Sequence, residues 1–311
     1  MNGIHHVTAI AGKPSRNLDF YTRNLGMRLV KKTVNFDDPG TYHLYYGDEA
    51  GHPGTILTFF PWQDAAPGRT GIGMAQETAL RVPASSLGYW THRLIEKGIA
   101  HQAPHKRFGE TWLPILDPDG LSLALVGVAS DENDGVWSEG DVPAQHAIRG
   151  FHAVTLFLAK AGPTGDILTN VFGYKLQDRE DSLLRFETRE PGKGSIIDIR
   201  EAGEFLGGRM GRGTVHHIAF RAKDDTEQAE MANKLRTLHG MHPTEQIDRQ
   251  YFRSVYFREP GGVLFEIATD EPGFAIDEPL ASLGTDLKLP AFLEPRRRQI
   301  ESSLPPLSRA A

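Results

Sequence analysis

The fold is decided by the stretch Val215-His216-His217-Ile218-Ala219-Phe220-Arg221-Ala222 and by the chain that follows it. Bulky apolar residues alternate with other types along this stretch, as in a strand with one face in a core. A helical pattern runs from Thr226 to Leu238 and ends at Gly240. Two strand-like runs then follow, Ser254 to Phe257 and Val263 to Ala268. The sequence therefore predicts a unit in which a strand and a helix precede further strands.

The same order recurs in three earlier parts of the chain. Module one begins with Ile4 to Ile10, module two with Glu77 to Val82 and module three with Phe151 to Leu158; the unit described above is module four. In module one, a helix-like stretch (Asn17 to Leu25) and strand-like runs around Leu29 to Val34, Tyr42 to Tyr46 and Thr55 to Phe60 follow the first strand, which gives the order βαβββ. Four copies of about 55 residues indicate repeated supersecondary units. We expect an α+β protein whose two barrel-type domains contain two modules each.

The repeats divide the chain into predicted domains. Residues 1–128 hold the first pair of modules and residues 149–270 the second pair. A polar linker is predicted over residues 129–148, and residues 271–311 form a Pro-containing C-terminal extension that we expect to wrap onto the domains. Repeats of this size often pair across subunits, so the pattern also permits a homodimer.

Bulk composition excludes several classes of function. The 311 residues carry a net charge of −6, which gives no basic surplus for a nucleic-acid backbone. There is no cysteine, so a metal could be held only by His, Asp, Glu or Tyr. Neither a signal peptide nor an apolar run of about 18 residues is seen, which predicts a cytoplasmic protein without a membrane span.

Strand alternation selects candidate metal ligands. In module four, Ile218 and Phe220 are expected to face the helix, so His217 faces the opposite, cavity side and His216 points away from it. The same reasoning places Glu266 on the cavity side of the last strand. Applied to module one, this register selects His6 over His5, and Thr58 takes the position that matches Glu266.

The other modules leave a second combination open. Module two has Glu77 and Ala124 at the matching positions, and module three has His152 and Asp198. If modules one and four meet, two imidazoles and one carboxylate form a site with open positions, which suits Fe(II) or Mn(II). If modules three and four meet, His152 and Asp198 complete a fuller shell. The residues alone permit both pairings.

The fourfold plan resembles the vicinal-oxygen-chelate superfamily of extradiol dioxygenases, glyoxalases and antibiotic-sequestering proteins, with a glyoxalase-like fold. The stretch Val255-Tyr256-Phe257-Arg258-Glu259-Pro260-Gly261-Gly262-Val263-Leu264-Phe265-Glu266 resembles the extradiol dioxygenase signature. That resemblance implies a catalytic Tyr256 beside the metal, able to donate a hydrogen bond to substrate oxygen. The signature also expects a histidine near Asp248 or Arg249, which is missing here. Asp248, Arg249 and Tyr251 are the candidates to replace it.

Four stretches are similar to a bacterial group described as ring-cleaving dioxygenases, some of them implicated in hydroquinone and catechol detoxification. They are Ile4 to Ile10, Val30 to Tyr45, Gly213 to Ala219 and Phe265 to Asp270. The resemblance implies Fe(2+) held by His6, His217 and Glu266, an aromatic substrate, and dioxygen as the second substrate. It favours pairing module one with module four.

Two other functions stay open at this point. A glyoxalase-like isomerase or lyase would use His152 and Asp198 in the fuller shell and would prefer Zn(2+), Ni(2+) or Mn(2+). A metal-poor sequestering protein ranks third.

The polar and aromatic block from Lys31 to Tyr45 is either an ordinary hairpin or a pocket wall that offers Asn35, Asp37, His43 or Tyr45 to a phenolic substrate. A lone histidine such as His43 is more often a surface or hydrogen-bonded residue than a ligand.

Overall fold

The computed structural model describes residues 3–129 and 135–307. The first half contains β1 (Ile4–Ala11), α1 (Pro14–Asp19), β2 (Arg28–Asn35), β3 (Asp38–Gly47), β4 (Ile56–Pro61), β5 (Met74–Pro83), α2 (Leu87–Glu96), β6 (His105–Arg107), β7 (Glu110–Leu116) and β8 (Ser122–Val128). The second half contains β9 (Phe151–Leu158), α3 (Gly162–Asn170), β10 (Tyr174–Glu180), β11 (Leu183–Thr188), β12 (Ile196–Glu201), β13 (Thr214–Ala222), α4 (Asp225–His239), β14 (Ile247–Asp248), β15 (Phe252–Arg258), β16 (Leu264–Pro272) and α5 (Arg297–Ser303). The predicted α+β class with four βαβββ modules is confirmed.

The strands form two eight-stranded sheets, each built from one module of each half. Sheet I has the order β14-β15-β16-β13-β1-β4-β3-β2, and sheet II has the order β10-β11-β12-β9-β5-β8-β7-β6. Modules one and four share sheet I because β1 pairs antiparallel with β13 at its centre. Modules two and three share sheet II through β5 and β9. The first strands of partner modules therefore lie side by side.

The proposed domain boundaries stay a prediction. Of the predicted linker, residues 130–134 lie outside the described residues, as do residues 308–311 of the C-terminal extension and residues 1 and 2. No helix that the structure describes is both long and apolar enough to span a bilayer.

Every first strand carries a β-bulge at the same place. The pairing of β1 with β13 skips His5 and His216, and the pairing of β5 with β9 skips Gln76 and His152. A bulge places two residues of one strand opposite a single partner residue, which locally breaks the alternation of faces. The positions after the bulges are therefore equivalent; they are held by His6, Glu77, Ala153 and His217. The prediction that His152 matches His217 is wrong by one residue.

The convex faces of the sheets pack against the helices in one large core. Ile218, Phe220, Phe265 and Ile267 belong to it, as the alternation of module four predicts. The ring of Phe220 stacks on Phe172 with 4.1 Å between the ring centroids. Burying each such side chain contributes about 1.5–3 kcal/mol. This packing fixes which side chains are left for the concave faces.

Local interactions fix both ends of helix α4. Asp224 accepts a hydrogen bond from the backbone N–H of Glu227, which caps the first turn. Gly240 ends the helix with φ of 60°, a left-handed conformation that glycine adopts without strain. The helix is one residue longer at each end than the predicted Thr226 to Leu238.

The C-terminal extension lies against module one. The buried ammonium group of Lys31 contacts the carboxylates of Asp277 and Glu278. The phenol of Tyr251 donates a hydrogen bond to Asp277 over 3.0 Å. An isolated bridge joins Leu287 to Lys32, on the edge strand β2. The extension thus covers an edge that would otherwise expose unpaired backbone groups.

Candidate metal centre

Three side chains meet at the centre of sheet I. The Nε2 atoms of His6 and His217 are 3.3 Å apart, and the Oε2 atom of Glu266 lies 3.4 Å from the first and 3.0 Å from the second. All three residues are buried. Among the described residues, no other group of three potential ligands brings its ligand atoms within 4.8 Å of one another. The structure thus brings together the three residues selected from the sequence.

Sheet register explains this convergence. His6 and His217 lie on neighbouring antiparallel strands, and Ala219, two residues beyond His217, is paired with Glu266 on β16. Thr8, two residues beyond His6, is paired with Thr58 in the same way. Modules one and four therefore contribute equivalent positions, and Thr58 stands where a second carboxylate could have stood.

The donor set fits a metal ion. The Oε2 atom of Glu266 is buried and has no hydrogen-bond partner, although two imidazole nitrogens lie close to it. A buried carboxylate oxygen without a donor is costly unless something positive binds it. Burial by itself would raise the pKa of Glu266, but His6 and His217 outweigh it and hold that pKa well below its usual value. An anionic carboxylate beside two imidazoles is a ligand set for a divalent cation.

The residues on the bulges orient the two imidazoles. The Nδ1 atom of His6 is 2.9 Å from that of His5, and the Nδ1 atom of His217 is 2.8 Å from that of His216. His5 also hydrogen-bonds to the backbone of Thr269. If His6 and His217 donate through Nδ1–H, both Nε2 atoms keep a free lone pair for a metal. Burial lowers the pKa of His217 and of His5, which keeps both rings neutral.

The prediction that His216 points away from the cavity is wrong. The bulge turns it to the same side as His217, and it lines the cavity above the three ligands. Burial lowers the pKa of His216 to about 3, so it is neutral at physiological pH.

A cavity of about 280 Å³ opens above the cluster. Its walls are mainly aromatic and are supplied by both modules of sheet I. The lining residues are His6, Asn35, Phe36, Asp37, His43, Tyr45, Phe60, Trp62, His216, His217, Arg249, Phe252, Tyr256 and Leu264. All four residues of the predicted pocket wall are among them. Trp62 was missed in the sequence, where only the aromatic run at the end of β4 signals it.

Tyr256 and Arg249 form one side of this cavity. Tyr256 is paired with Glu266 across β15 and β16, and its ring centroid is 5.8 Å from that of His217. The Nε atom of Arg249 donates to the Tyr256 hydroxyl over 3.3 Å, and its Nη1 atom contacts Asp37 at 3.1 Å. Burial, followed by the charge of Glu266, raises the pKa of Tyr256. The phenol therefore keeps its proton.

Of the three candidates to replace the missing histidine, only Arg249 reaches the cavity. Asp248 accepts a hydrogen bond from the backbone of Gln250 in the turn before β15. The hydroxyl of Tyr251 is committed to Asp277.

His43, from module one, also lines the cavity. His43 is hydrogen-bonded through Nε2 to Thr58 at 2.7 Å and through Nδ1 to Tyr45 at 2.9 Å. Thr58 in turn bonds Thr8 at 2.8 Å. Burial lowers the pKa of His43, so this ring is neutral. His43 is thus a buried, hydrogen-bonded cavity residue.

The fuller shell is not assembled, because His152 and Asp198 lie in sheet II. The Nε2 atom of His152 contacts Glu110 at 3.0 Å, and Asp198 accepts two hydrogen bonds from Arg185. Module four pairs with module one, so these residues do not join His217 and Glu266.

Fold and site together place the chain in a known class. It belongs to the glyoxalase/bleomycin resistance protein/dioxygenase superfamily, whose family model matches residues 3–125 and 150–267. Glyoxalase I from Zea mays has the same fold, with a TM-score of 0.65 and 15% identity over 87% of this chain and 93% of that one.

Much more similar relatives lie within the ring-cleaving group. MhqO and MhqE of Bacillus subtilis (strain 168), which carry the provisional description of ring-cleaving dioxygenases, are each 46% identical over 98% of this chain and 96% and 99% of their own. The chlorohydroquinone/hydroquinone 1,2-dioxygenase of Sphingobium indicum is 32% identical over 94% of this chain and 93% of its own. A crystal structure described as a dioxygenase from Bacillus subtilis superposes with a TM-score of 0.93, at 44% identity over 99% and 98% of the two chains.

Proposed function

We propose that this chain is an Fe(II)-dependent ring-cleaving dioxygenase that acts on a dihydroxylated aromatic, hydroquinone or catechol. The observation that carries the proposal is the convergence of His6, His217 and Glu266 beneath an aromatic cavity. The names of the relatives support the class of reaction. Ring opening by such an enzyme adds both atoms of dioxygen to the substrate.

The ligand set leaves room for two reactants. Two imidazoles and one carboxylate would give an ion three protein ligands, and Thr58, which matches Glu266 in register, offers no carboxylate. Fe(II) bound there would supply open positions for a substrate oxygen and dioxygen, and would carry the electron transfer. The role of the protein is to hold the ligands and keep the cavity dry.

The cavity suits one aromatic ring. A cavity of roughly 150 Å³ is enough for benzene, and about 280 Å³ is available here. Phe60, Trp62 and Phe252 supply flat apolar walls that bind a ring and exclude water. Asn35, His43 and Tyr256 also line the cavity and offer hydrogen-bonding groups to the hydroxyl groups of a diol.

Tyr256 is the proposed catalytic side chain. Its phenol is protonated, lines the cavity and is held by Arg249, so it is placed to donate a hydrogen bond to a substrate oxygen. The guanidinium of Arg249 adds positive charge on the side where a deprotonated diol oxygen would lie.

Oxygen uptake tests this function directly. Fe(II)-loaded protein should consume dioxygen with hydroquinone or catechol, with one ring-opened product formed for each dioxygen. His6→Ala should abolish both bound iron and uptake, whereas His152→Ala, which alters a histidine of sheet II, should retain both. Failure of the iron-replete protein to consume dioxygen with any such diol would refute the proposal.

A glyoxalase-like isomerase or lyase would use His152 and Asp198 as further ligands, and these two residues do not lie in sheet I. A test for it follows from the same preparation: Zn(2+)- or Mn(2+)-loaded protein should show no isomerase activity toward thiol adducts of α-ketoaldehydes. Such activity, together with the absence of oxygen uptake, would favour that alternative.

A further inference from the structure

One pair of charged residues lines the cavity in addition to the ligand cluster. Among the described lining residues, these are Asp37, from the turn between β2 and β3, and Arg249, from the segment between β14 and β15. The rings of His43 and His216 are neutral, because burial lowers their pKa values. The charge that a ligand meets away from the metal centre therefore depends on this pair.

Asp37 lies where the cavity meets solvent, a place that we call the opening. Its side chain is 75% exposed although it lines the cavity, whereas that of Arg249 is 20% exposed. The backbone N–H of Asp37 donates to the Oδ1 atom of Asn35 over 3.0 Å, which holds the turn in place. Ion pairs this exposed contribute little to the stability of a fold. Removing the carboxylate of Asp37 should therefore change the charge of the opening without unfolding the protein.

Arg249 has the chemistry to bind a carboxylate group. The terminal nitrogens of a guanidinium form a fork that matches the two oxygens of a carboxylate. The Nη1 atom of Arg249 contacts Oδ2 of Asp37 at 3.1 Å, and its Nε atom donates to the hydroxyl of Tyr256 over 3.3 Å. An organic anion in the cavity would compete with Asp37 for this guanidinium and would be repelled by the carboxylate of Asp37.

A second carboxylate lies beside the opening. Asp38 follows Asp37 in the chain and accepts a hydrogen bond over 3.2 Å from the Nε1 atom of Trp62, a wall residue of the cavity. The hydroxyl of Thr41 also donates to Asp38, over 2.7 Å. Two carboxylates against the one guanidinium of Arg249 oppose the entry of an anion.

We propose that Asp37 sets the charge selectivity of the cavity: by neutralising Arg249, it excludes aromatic diols that carry a carboxylate group and leaves the site to uncharged diols. This inference rests on the proposed function, which makes the ligand an aromatic diol, and it narrows the substrate class. When the two hydroxyl groups of a catechol face the metal centre, a substituent on the opposite side of the ring points away from that centre. A carboxylate at that position would meet Asp37 and Arg249.

Anaerobic binding of two matched ligands tests this selectivity. The ligands are 3,4-dihydroxybenzoate and 3,4-dihydroxybenzamide, which share the diol and nearly the same shape but differ in charge. Isothermal titration calorimetry on Fe(II)-loaded protein without oxygen measures both dissociation constants. The unmutated protein should bind the amide more tightly. In Asp37→Asn, the ratio of the two affinities should shift toward the carboxylate by roughly 5- to 20-fold at low salt, and the shift should shrink as the salt concentration rises.

Further variants decide what a shift means. Asp37→Ser also removes the charge and should repeat the shift, whereas adding Arg249→Met to Asp37→Asn should abolish it, because no guanidinium is left to bind the carboxylate. Asp225→Asn is the matched control, since Asp225 forms another exposed ion pair, with Arg253, and neither residue lines the cavity. It should leave the ratio unchanged. A shift that persists without Arg249, or that Asp225→Asn reproduces, overturns the proposal.

The proposal also fails if Asp37→Asn changes the ratio by less than about twofold, if the unmutated protein prefers the carboxylate, or if neither ligand binds. Oxygen uptake reports separately on the proposed function. Binding with the expected charge selectivity, but without oxygen uptake with any diol, would refute the dioxygenase proposal and leave this inference intact. Oxygen uptake together with an unshifted ratio would refute this inference alone.

Discussion

Ser254→Ala should weaken metal binding although Ser254 is not a ligand. Its hydroxyl donates to the Oε1 atom of Glu266 over 2.5 Å, and both residues are fully buried. Without the Ser254 hydroxyl, neither carboxylate oxygen of Glu266 has a hydrogen-bond partner in the metal-free protein. The pKa of Glu266 should then rise, so that a proton competes with the metal, and the carboxylate should lose its fixed orientation.

The size of the effect follows from the burial of this pair. A hydrogen bond to a charged group contributes about 1.5–3 kcal/mol, and no water can replace it at a buried site. Because about 1.4 kcal/mol is a tenfold change in an equilibrium constant, the affinity should fall roughly 10- to 100-fold, the range typical of groups that orient a ligand. Titration of metal-free protein with Mn(2+) at pH 7 measures the dissociation constant.

The control is Ser302→Ala, because the hydroxyl of Ser302 donates to a backbone carbonyl at an exposed site of α5. Its affinity should match that of the unmutated protein. If Ser254→Ala changes the dissociation constant by less than about threefold, which corresponds to about 0.6 kcal/mol, the proposed role of Glu266 as an oriented ligand is refuted.

Three further outcomes are expected elsewhere in the molecule. Lys31→Met leaves Glu278 buried without its cation, so the free energy of unfolding in urea should fall by about 3–5 kcal/mol; a loss below about 1 kcal/mol would show that the ion pair is dispensable. Burial would raise the pKa of Glu110, but His152 and Arg185 hold it at about 2 instead of 4.5. The ionised carboxylate of Glu110 therefore stabilises the fold fully above pH 4.5 and loses this contribution as the pH falls toward 2. Glu110→Gln should flatten the pH dependence of the free energy of unfolding in that window, and an unchanged slope would contradict the role given to His152 and Arg185. Arg249→Met removes the guanidinium that holds the phenol at the cavity mouth; kcat for oxygen uptake should fall by roughly 10- to 100-fold with iron content unchanged, and an unaltered kcat would show that this guanidinium has no part in the reaction.

Repetition of the modules made the strands predictable. Phe151 to Leu158 was predicted with the observed bounds, and α4 was predicted to within one residue at each end. The alternation of large apolar side chains fixed which face of β13 and β16 enters the core, because a strand has a period of two. That was enough to select His217 and Glu266.

The β-bulges were the part that alternation could not reveal. A bulge is one extra residue without a sequence signature in these strands, and it moves every later side chain relative to its partner. It brings His216 into the cavity and puts Ala153, not His152, at the position equivalent to His217. Module pairing was equally hidden, because the same amphipathic units can be combined in more than one way.

The roles of His43 and Arg249 depend on contacts between residues that are not neighbours in the chain. His43 meets Thr58 across strands β3 and β4, and Arg249 reaches Asp37 from a different module. Neither contact is local in the chain, so no local pattern could have predicted it.

The proposed iron site is tested most directly by locating iron in a crystal. Anomalous scattering at the iron edge, on protein loaded with Fe(II) without oxygen, should show one strong peak about 2.0–2.2 Å from Nε2 of His6, Nε2 of His217 and Oε2 of Glu266. A peak beside His152 and Glu110 in sheet II, with none at these three atoms, would contradict the account.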